Sequence, residues 1–213
     1  MSYTQLDLLE TSYDSIEALA ADMRKCQRCA LSKYRTNVVV GSGSIDSRIA
    51  VIAEMPGKVE DKEGVPMIGV SGEKLDGVLA DAGIKREEIR FMNIVGCKTP
   101  VRTIDGNPMS RPPTSYERKA CRYWWNEQLK LMKNLKVIVA MGWAAIEELI
   151  GRHVESVTNA RNGGPYYYNG VRVVPTYNPA YLIPRRGTTT ATLRNRKEAM
   201  VKDMLRVKQL SLT

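Results

Sequence analysis

Four short apolar runs punctuate this chain: RIAVIA at 48–53, RFMNIV at 90–95, KVIVAM at 136–141 and VRVVPT at 171–176. Such runs read as strands buried on both faces, the signature of a parallel sheet. Segments with helical spacing lie between and after them: 73–82, closed by Gly83, then 115–132, with Thr114 or Ser115 as N-cap, then 144–150 and 192–210. Leu8, Leu9, Ile16, Leu19, Ala20 and Met23 predict an opening helix over 8–23. The alternation predicts an α/β fold, a three-layer α/β/α sandwich around a central, mainly parallel four-stranded sheet. In such folds ligands bind beyond the carboxyl ends of the strands. The segments after Ala53, Val95, Met141 and Thr176 are therefore where a site is sought.

The 213 residues suit one domain spanning 1–213. A hydrophobic fraction of 43% with 26% charged residues argues against disorder. No stretch approaches the ~18 apolar residues of a membrane helix, so no membrane association is expected. The opening MSYTQLDLLETSYD has no basic segment followed by an apolar block, and the expected location is cytoplasmic. Thirty-two Lys and Arg against 23 Asp and Glu give a net charge of +9, which suits a polyanionic partner or simply a solvated basic surface. One histidine excludes any mechanism that needs two.

Three constellations carry chemistry. Cys26-Gln-Arg-Cys29 is a C-x-x-C pair, followed much later by Cys97 and Cys121. Two ligands on a turn plus two from the fold serve both zinc and iron–sulfur sites, while buried unligated thiols are the plainer alternative. A thioredoxin-type pair belongs at a strand-to-helix junction, whereas this one follows a helix. After the first strand, Glu54, Glu60 and Asp61 surround a Pro56-Gly57 turn, where carboxylates can position a water or accept a proton. Gly64-Val-Pro-Met-Ile-Gly-Val-Ser-Gly72 then leads into a helix, but lacks the G-K-[ST] of a phosphate loop. After the last strand, Asn178-Pro-Ala-Tyr-Leu182 precedes Arg185 and Arg186, a loop suited to entering a base stack while arginines hold phosphates.

Taken in order, C-x-x-C, E-x-P-G-x-x-E-D, G-x-P-x-x-G-x-x-G, N-I-V-x-C, Cys121 and P-A-Y-L resemble the iron–sulfur, family 4 uracil-DNA glycosylases over residues 20–186. The resemblance implies a 4Fe–4S cluster on Cys26, Cys29, Cys97 and Cys121, structural rather than redox-active. It implies DNA, double- or single-stranded, as partner and a monomeric protein. It places Glu54 as the water-positioning carboxylate and Asn93 as reader of the pyrimidine edge, while Glu60 and Asp61 match the following E-D pair and order the loop instead. The loop residues Tyr181, Leu182, Arg185 and Arg186, with Arg194, Arg196 and Lys197 of the basic last helix, are expected on DNA from their own chemistry.

Three departures cluster on the implied pocket: Met55 for a small residue, Met67 for the phenylalanine that stacks on uracil, and Asn178 for a histidine. The related mismatch-type glycosylases carry Asn-Pro-Ser there, so Asn178 is compatible with catalysis as a neutral donor. Flexible methionine in place of a flat ring suggests a bulkier, modified pyrimidine as the excised base. The competing reading is a catalytically silent iron–sulfur protein that binds an unusual base. His153 matches none of these motifs.

Overall fold

A computed structural model describes residues 12–104, 107–151 and 154–213. The central sheet holds β1 (Ile49–Ala53), β2 (Ile89–Asn93), β5 (Val137–Met141), β6 (Tyr166–Tyr168) and β7 (Val171–Thr176), in the order β2-β1-β5-β7-β6. All pairings are parallel except β6 with β7. The expected four strands are thus five. The added edge strand, three tyrosines long, is too short and too polar to register as an apolar run. A separate antiparallel hairpin, β3 (Val101–Ile104) with β4 (Asn107–Ser110), is also absent from the sequence reading.

Every residue of β1, β2 and β5 is buried, as a sheet covered on both faces requires. Along β1, Ala50 and Ile52 enter one core with Leu19, Met92, Trp125, Ile138 and Ile146. Ile49, Val51 and Ala53 enter the other with Leu75, Leu79, Val139, Met200 and Met204. The first core packs under α1 (Ile16–Arg24), α4 (Ser115–Leu131) and α5 (Trp143–Ile150), the second under α3 (Val70–Ala82) and α7 (Thr190–Ser211). The α/β/α sandwich stands as expected.

Local signals set the boundaries. The opening helix begins at Ile16 rather than residue 8, because Ser15 caps it by accepting from the Ala18 amide; Leu8 and Leu9 lie outside the described residues. Thr114 and Glu117 form a reciprocal capping box at the start of α4, and Glu117 also takes a two-pronged hydrogen bond from Arg111. The carboxylates after β1 do not sit on an open turn: Lys58–Glu63 form the short helix α2. Val157–Asn162 form another, α6.

Asp203 of α7 ties three elements together. Its carboxylate accepts from Arg161 of α6 (2.6 and 3.0 Å) and from the Thr176 hydroxyl at the end of β7 (2.6 Å). Both members of the ion pair are about nine-tenths buried. Removing one partner of such a pair strands the other charge without water, at a cost of about 3 kcal/mol. Asp203→Ala should therefore lower Tm by roughly 10 °C in thermal unfolding, whereas an exposed control, Glu198→Ala, should change little.

Candidate active site

The carboxyl ends of β1, β5 and β7 converge on two adjoining cavities. The smaller, about 380 Å³, is lined by Glu54, Met55, Glu60, Met67, Gly69 and Asn178 among others. The larger, about 490 Å³, is lined by Glu54, Arg118, Trp143, Tyr177, Asn178 and Arg185 among others. Glu54, Asn178 and Ala180 belong to both.

Glu54 follows β1 directly, and its carbonyl accepts from the Val95 amide (3.1 Å), so the sheet register continues one residue past the strand and fixes its backbone. Its half-buried carboxylate makes no hydrogen bond or ion pair to the protein among the described residues. Burial raises its pKa, and the Arg118 guanidinium, itself paired with Glu147 at 2.6 Å, pulls it partly back. A desolvated carboxylate without a protein partner is free to hold a water.

Asn178 lies two residues past β7 and caps the short 3₁₀ turn Pro179–Leu182, its Oδ1 accepting from the Ala180 amide (2.9 Å). That bond commits the oxygen and leaves Nδ2 as the available end. Gly142, at φ +85°, lets the chain entering α5 pass against it: a β-carbon there would sit 3.1 Å from Asn178 Cβ.

Met67 has a left-handed backbone, φ +58°, uncommon for a residue with a side chain. Arg86 holds it there, donating to the Met67 carbonyl (2.5 Å) while pairing with Asp76 and stacking on Phe91 (4.5 Å to the ring centroid). Gly72 completes the arrangement, since a β-carbon there would lie 2.0 Å from the Met67 oxygen. Met55 accepts a hydrogen bond at its sulfur from Thr99 (3.4 Å).

The other sequence candidates separate. Glu60 and Asp61 are buried and hold loops: Glu60 accepts from the Gly69 amide (3.1 Å) and Asp61 from the Thr36 amide (3.0 Å). Asn93, 6% exposed at the end of β2, has no side-chain partner among the described residues; it lines neither cavity. Leu182 is 6% exposed and packs in the second core, so in this conformation it is not presented to DNA. Tyr181 is half-exposed and stacks on Tyr177 (5.8 Å), and the pair is capped by Arg161 and Arg196 (4.5 and 5.0 Å). Arg185 and Arg186 are exposed. Of the last helix, Lys197 is spoken for by Asp81 (2.8 Å) and Arg196 by the Tyr181 carbonyl (3.0 Å). His153 lies outside the described residues. Arg118, Trp143, Tyr177 and Arg86 escaped the sequence reading, although Trp143 lies just beyond Met141, one of the strand ends it marked.

Three of the four cysteine sulfurs accept hydrogen bonds. Cys26 accepts from the Trp124 indole (3.1 Å), Cys97 from Arg35 (3.5 Å) and Cys121 from the Gly96 amide (3.3 Å). Each of Cys29, Cys97 and Cys121 feels the charge of other members of the set, and burial pushes Cys121 up to about 12. Among the described residues no three His, Cys, Asp or Glu side chains are placed to close around a single metal ion. Donors aimed at three sulfurs suit thiolates, and the two buried thiols, Cys97 and Cys121, need a cationic group to stay deprotonated. Four thiols with N–H donors at three of their sulfurs have the donor chemistry, though not the placement around one ion, of a thiolate-held group.

A parallel sheet thus carries paired clefts at its carboxyl edge, with a partner-free carboxylate and a fixed amide lining both. Residues 40–204 match the uracil DNA glycosylase superfamily. A type-4 uracil-DNA glycosylase of Thermotoga maritima is 35% identical over 83% of this chain and 87% of its own. One of Saccharolobus solfataricus is 32% identical over 88% and 87%, and a type-5 uracil-DNA glycosylase of Thermus thermophilus 26% over 84% and 82%. The chain belongs to the uracil-DNA glycosylase superfamily, alongside its type-4 members, and so to the DNA N-glycosylases.

Because burial outweighs Arg118 at Glu54, the carboxyl should titrate above the ordinary 4.5. Carbon-13 NMR of labelled glutamate, assigned with Glu54→Gln, should place its midpoint there, and Arg118→Gln should move it further up. A midpoint at or below 4.5 contradicts the desolvation account.

Proposed function

We propose that this protein is a monofunctional DNA glycosylase that hydrolyses the N-glycosidic bond of uracil, or of a bulkier modified pyrimidine, and leaves an abasic site. The observation that carries the reading is the pairing of Glu54, partner-free and desolvated, with Asn178, whose Nδ2 its own cap leaves available, at the junction of two cavities. A target nucleotide inside a duplex must first be flipped out. Its base enters the smaller cavity, against Met67. Asn93, the expected reader of the pyrimidine edge, lines neither cavity here and takes that role only if the pocket deepens around the base. As the bond stretches, the base leaves as an anion and the sugar becomes oxocarbenium-like. Asn178 donates to the developing base oxygen, and Glu54 holds the attacking water and offsets the sugar's positive charge. Tyr181, Arg185 and Arg186 meet the DNA, and one chain acts alone.

The larger-base preference is supported by the side chains present. Met55 and Met67 both line the pocket, and thioethers can fold away from a substituent that a ring would block. Met67→Phe with Asn178→His should speed uracil excision about tenfold or more and suppress excision of the larger base, measured on oligonucleotides carrying single modified pyrimidines and cleaved with alkali. Glu54→Gln should lower turnover by about 10²–10⁴ with DNA binding nearly intact. Excision of no base by any of these proteins would favour the silent, base-binding reading.

Cys26, Cys29, Cys97 and Cys121 would hold a 4Fe–4S cluster, larger than one ion, which supplies a structural tie between the end of α1, the chain after β2, and α4. Purified protein should be brown, absorb near 400 nm and carry iron and sulfide; Cys97→Ser should lose colour and soluble yield together. Colourless protein with stoichiometric zinc would overturn the cluster.

A further inference from the structure

The larger cavity adjoins the one assigned to the flipped base, and its walls differ in kind from the smaller one. Trp143 opens α5 with 40% of its surface exposed, whereas the chain's other tryptophans, Trp124 and Trp125, are 5% and 1% exposed. Leaving an indole in water at the mouth of a cleft is costly, and its N–H has no protein partner among the described residues. Across the same cleft stands the stacked Tyr177–Tyr181 pair, with Arg185 also lining it. The floor, Glu54, Asn178 and Ala180, is shared with the base pocket. A strand with one base in the smaller cavity thus carries its neighbour to the mouth of the larger.

We propose that this cleft is a second subsite, in which Trp143 stacks the unpaired base next to the excised one. The inference rests on the glycosylase reading above. Aromatic faces accept any base, so the subsite adds affinity and orientation without sequence preference. Arg185 suits the intervening phosphate, and the start of α5 adds its positive end to the same region. A neighbour still stacked in a duplex reaches Trp143 only after it too leaves its partner, so the subsite favours single-stranded or frayed DNA. Trp143 is a positioning residue: it touches the substrate beside the reacting nucleotide and no reacting atom.

The test uses single-stranded oligonucleotides with one uracil, in which the 5′ or the 3′ neighbour is either thymidine or a tetrahydrofuran spacer that lacks a base. For the wild type, the spacer on one side should lower kcat/KM about tenfold, mostly through KM, and on the other side little. Trp143→Ala should show the same tenfold loss with thymidine and no further loss with the spacer; Trp143→Phe should recover part of it. Equal loss by Trp143→Ala on thymidine and spacer substrates, or a wild type indifferent to both spacers, overturns the subsite. Fluorescence anisotropy with the same oligonucleotides reads the same comparison as affinity. If neither uracil nor a modified pyrimidine in its place is excised, the glycosylase reading fails, and the binding comparison still decides the subsite.

Discussion

The site depends on the parallel pairing of β1 with β2 on one side and β5 on the other. Parallel strands end together, so the residues that follow them emerge on one edge however far apart they lie in sequence. Glu54 and Asn178 are 124 positions apart, yet meet because β1 and β7 both flank β5 in register: Ile52 pairs with Ala140, and Ala140 with Pro175. Burial of both faces leaves that edge as the place where the sheet can present polar groups. The two cores fix the strands, and the chemistry follows from where they stop.

Around that edge the protein spends its buried polar groups on holding loops. Glu60 under Gly69 and Asp203 under Thr176, with the part-buried Arg86 under Met67, fix a backbone or strand end near the cavities, and Asp61 fixes the Thr36 loop. Each is a charged group bonded to a fixed donor or acceptor, the condition under which burial of charge is tolerable. Glu54 breaks this pattern, since it is desolvated and lacks such a partner. Within a set of satisfied neighbours, the unsatisfied member is the one free to act on something that arrives.

The layered architecture was legible because a doubly buried strand must be apolar at every position, and RIAVIA and KVIVAM are. The edge strand was not, because Tyr166–Tyr168 has one open side and so needs no such run. Ordered motifs named Glu54, Asn178 and the cysteines. They set Glu54 apart from Glu60 and Asp61 by motif position alone; the bonds that Glu60 and Asp61 make to loop amides, and Glu54 lacks, arise only in the fold. Leu182 read as a wedge by its place after Tyr181, but the turn capped by Asn178 rotates the leucine inward and the tyrosine outward. Arg86 and Trp143 lie outside the motifs, and their roles arise from contacts the fold alone creates.

Asn178 and Met67 illustrate how the pocket divides rigidity from compliance. Asn178 is a weaker donor than a charged histidine, but its oxygen is locked by the Ala180 amide, so its N–H₂ needs no reorientation as charge develops. Met67 has a flexible side chain on a backbone pinned by Arg86 and by the contact with Gly72. The chain therefore fixes where the stacking group starts and lets its end adapt. A rigid ring on the same backbone would discriminate by shape; a thioether discriminates less and admits more. On the proposed reading, selectivity would then fall to the hydrogen-bonding Asn178, and the thioether wall would follow whatever it accepts.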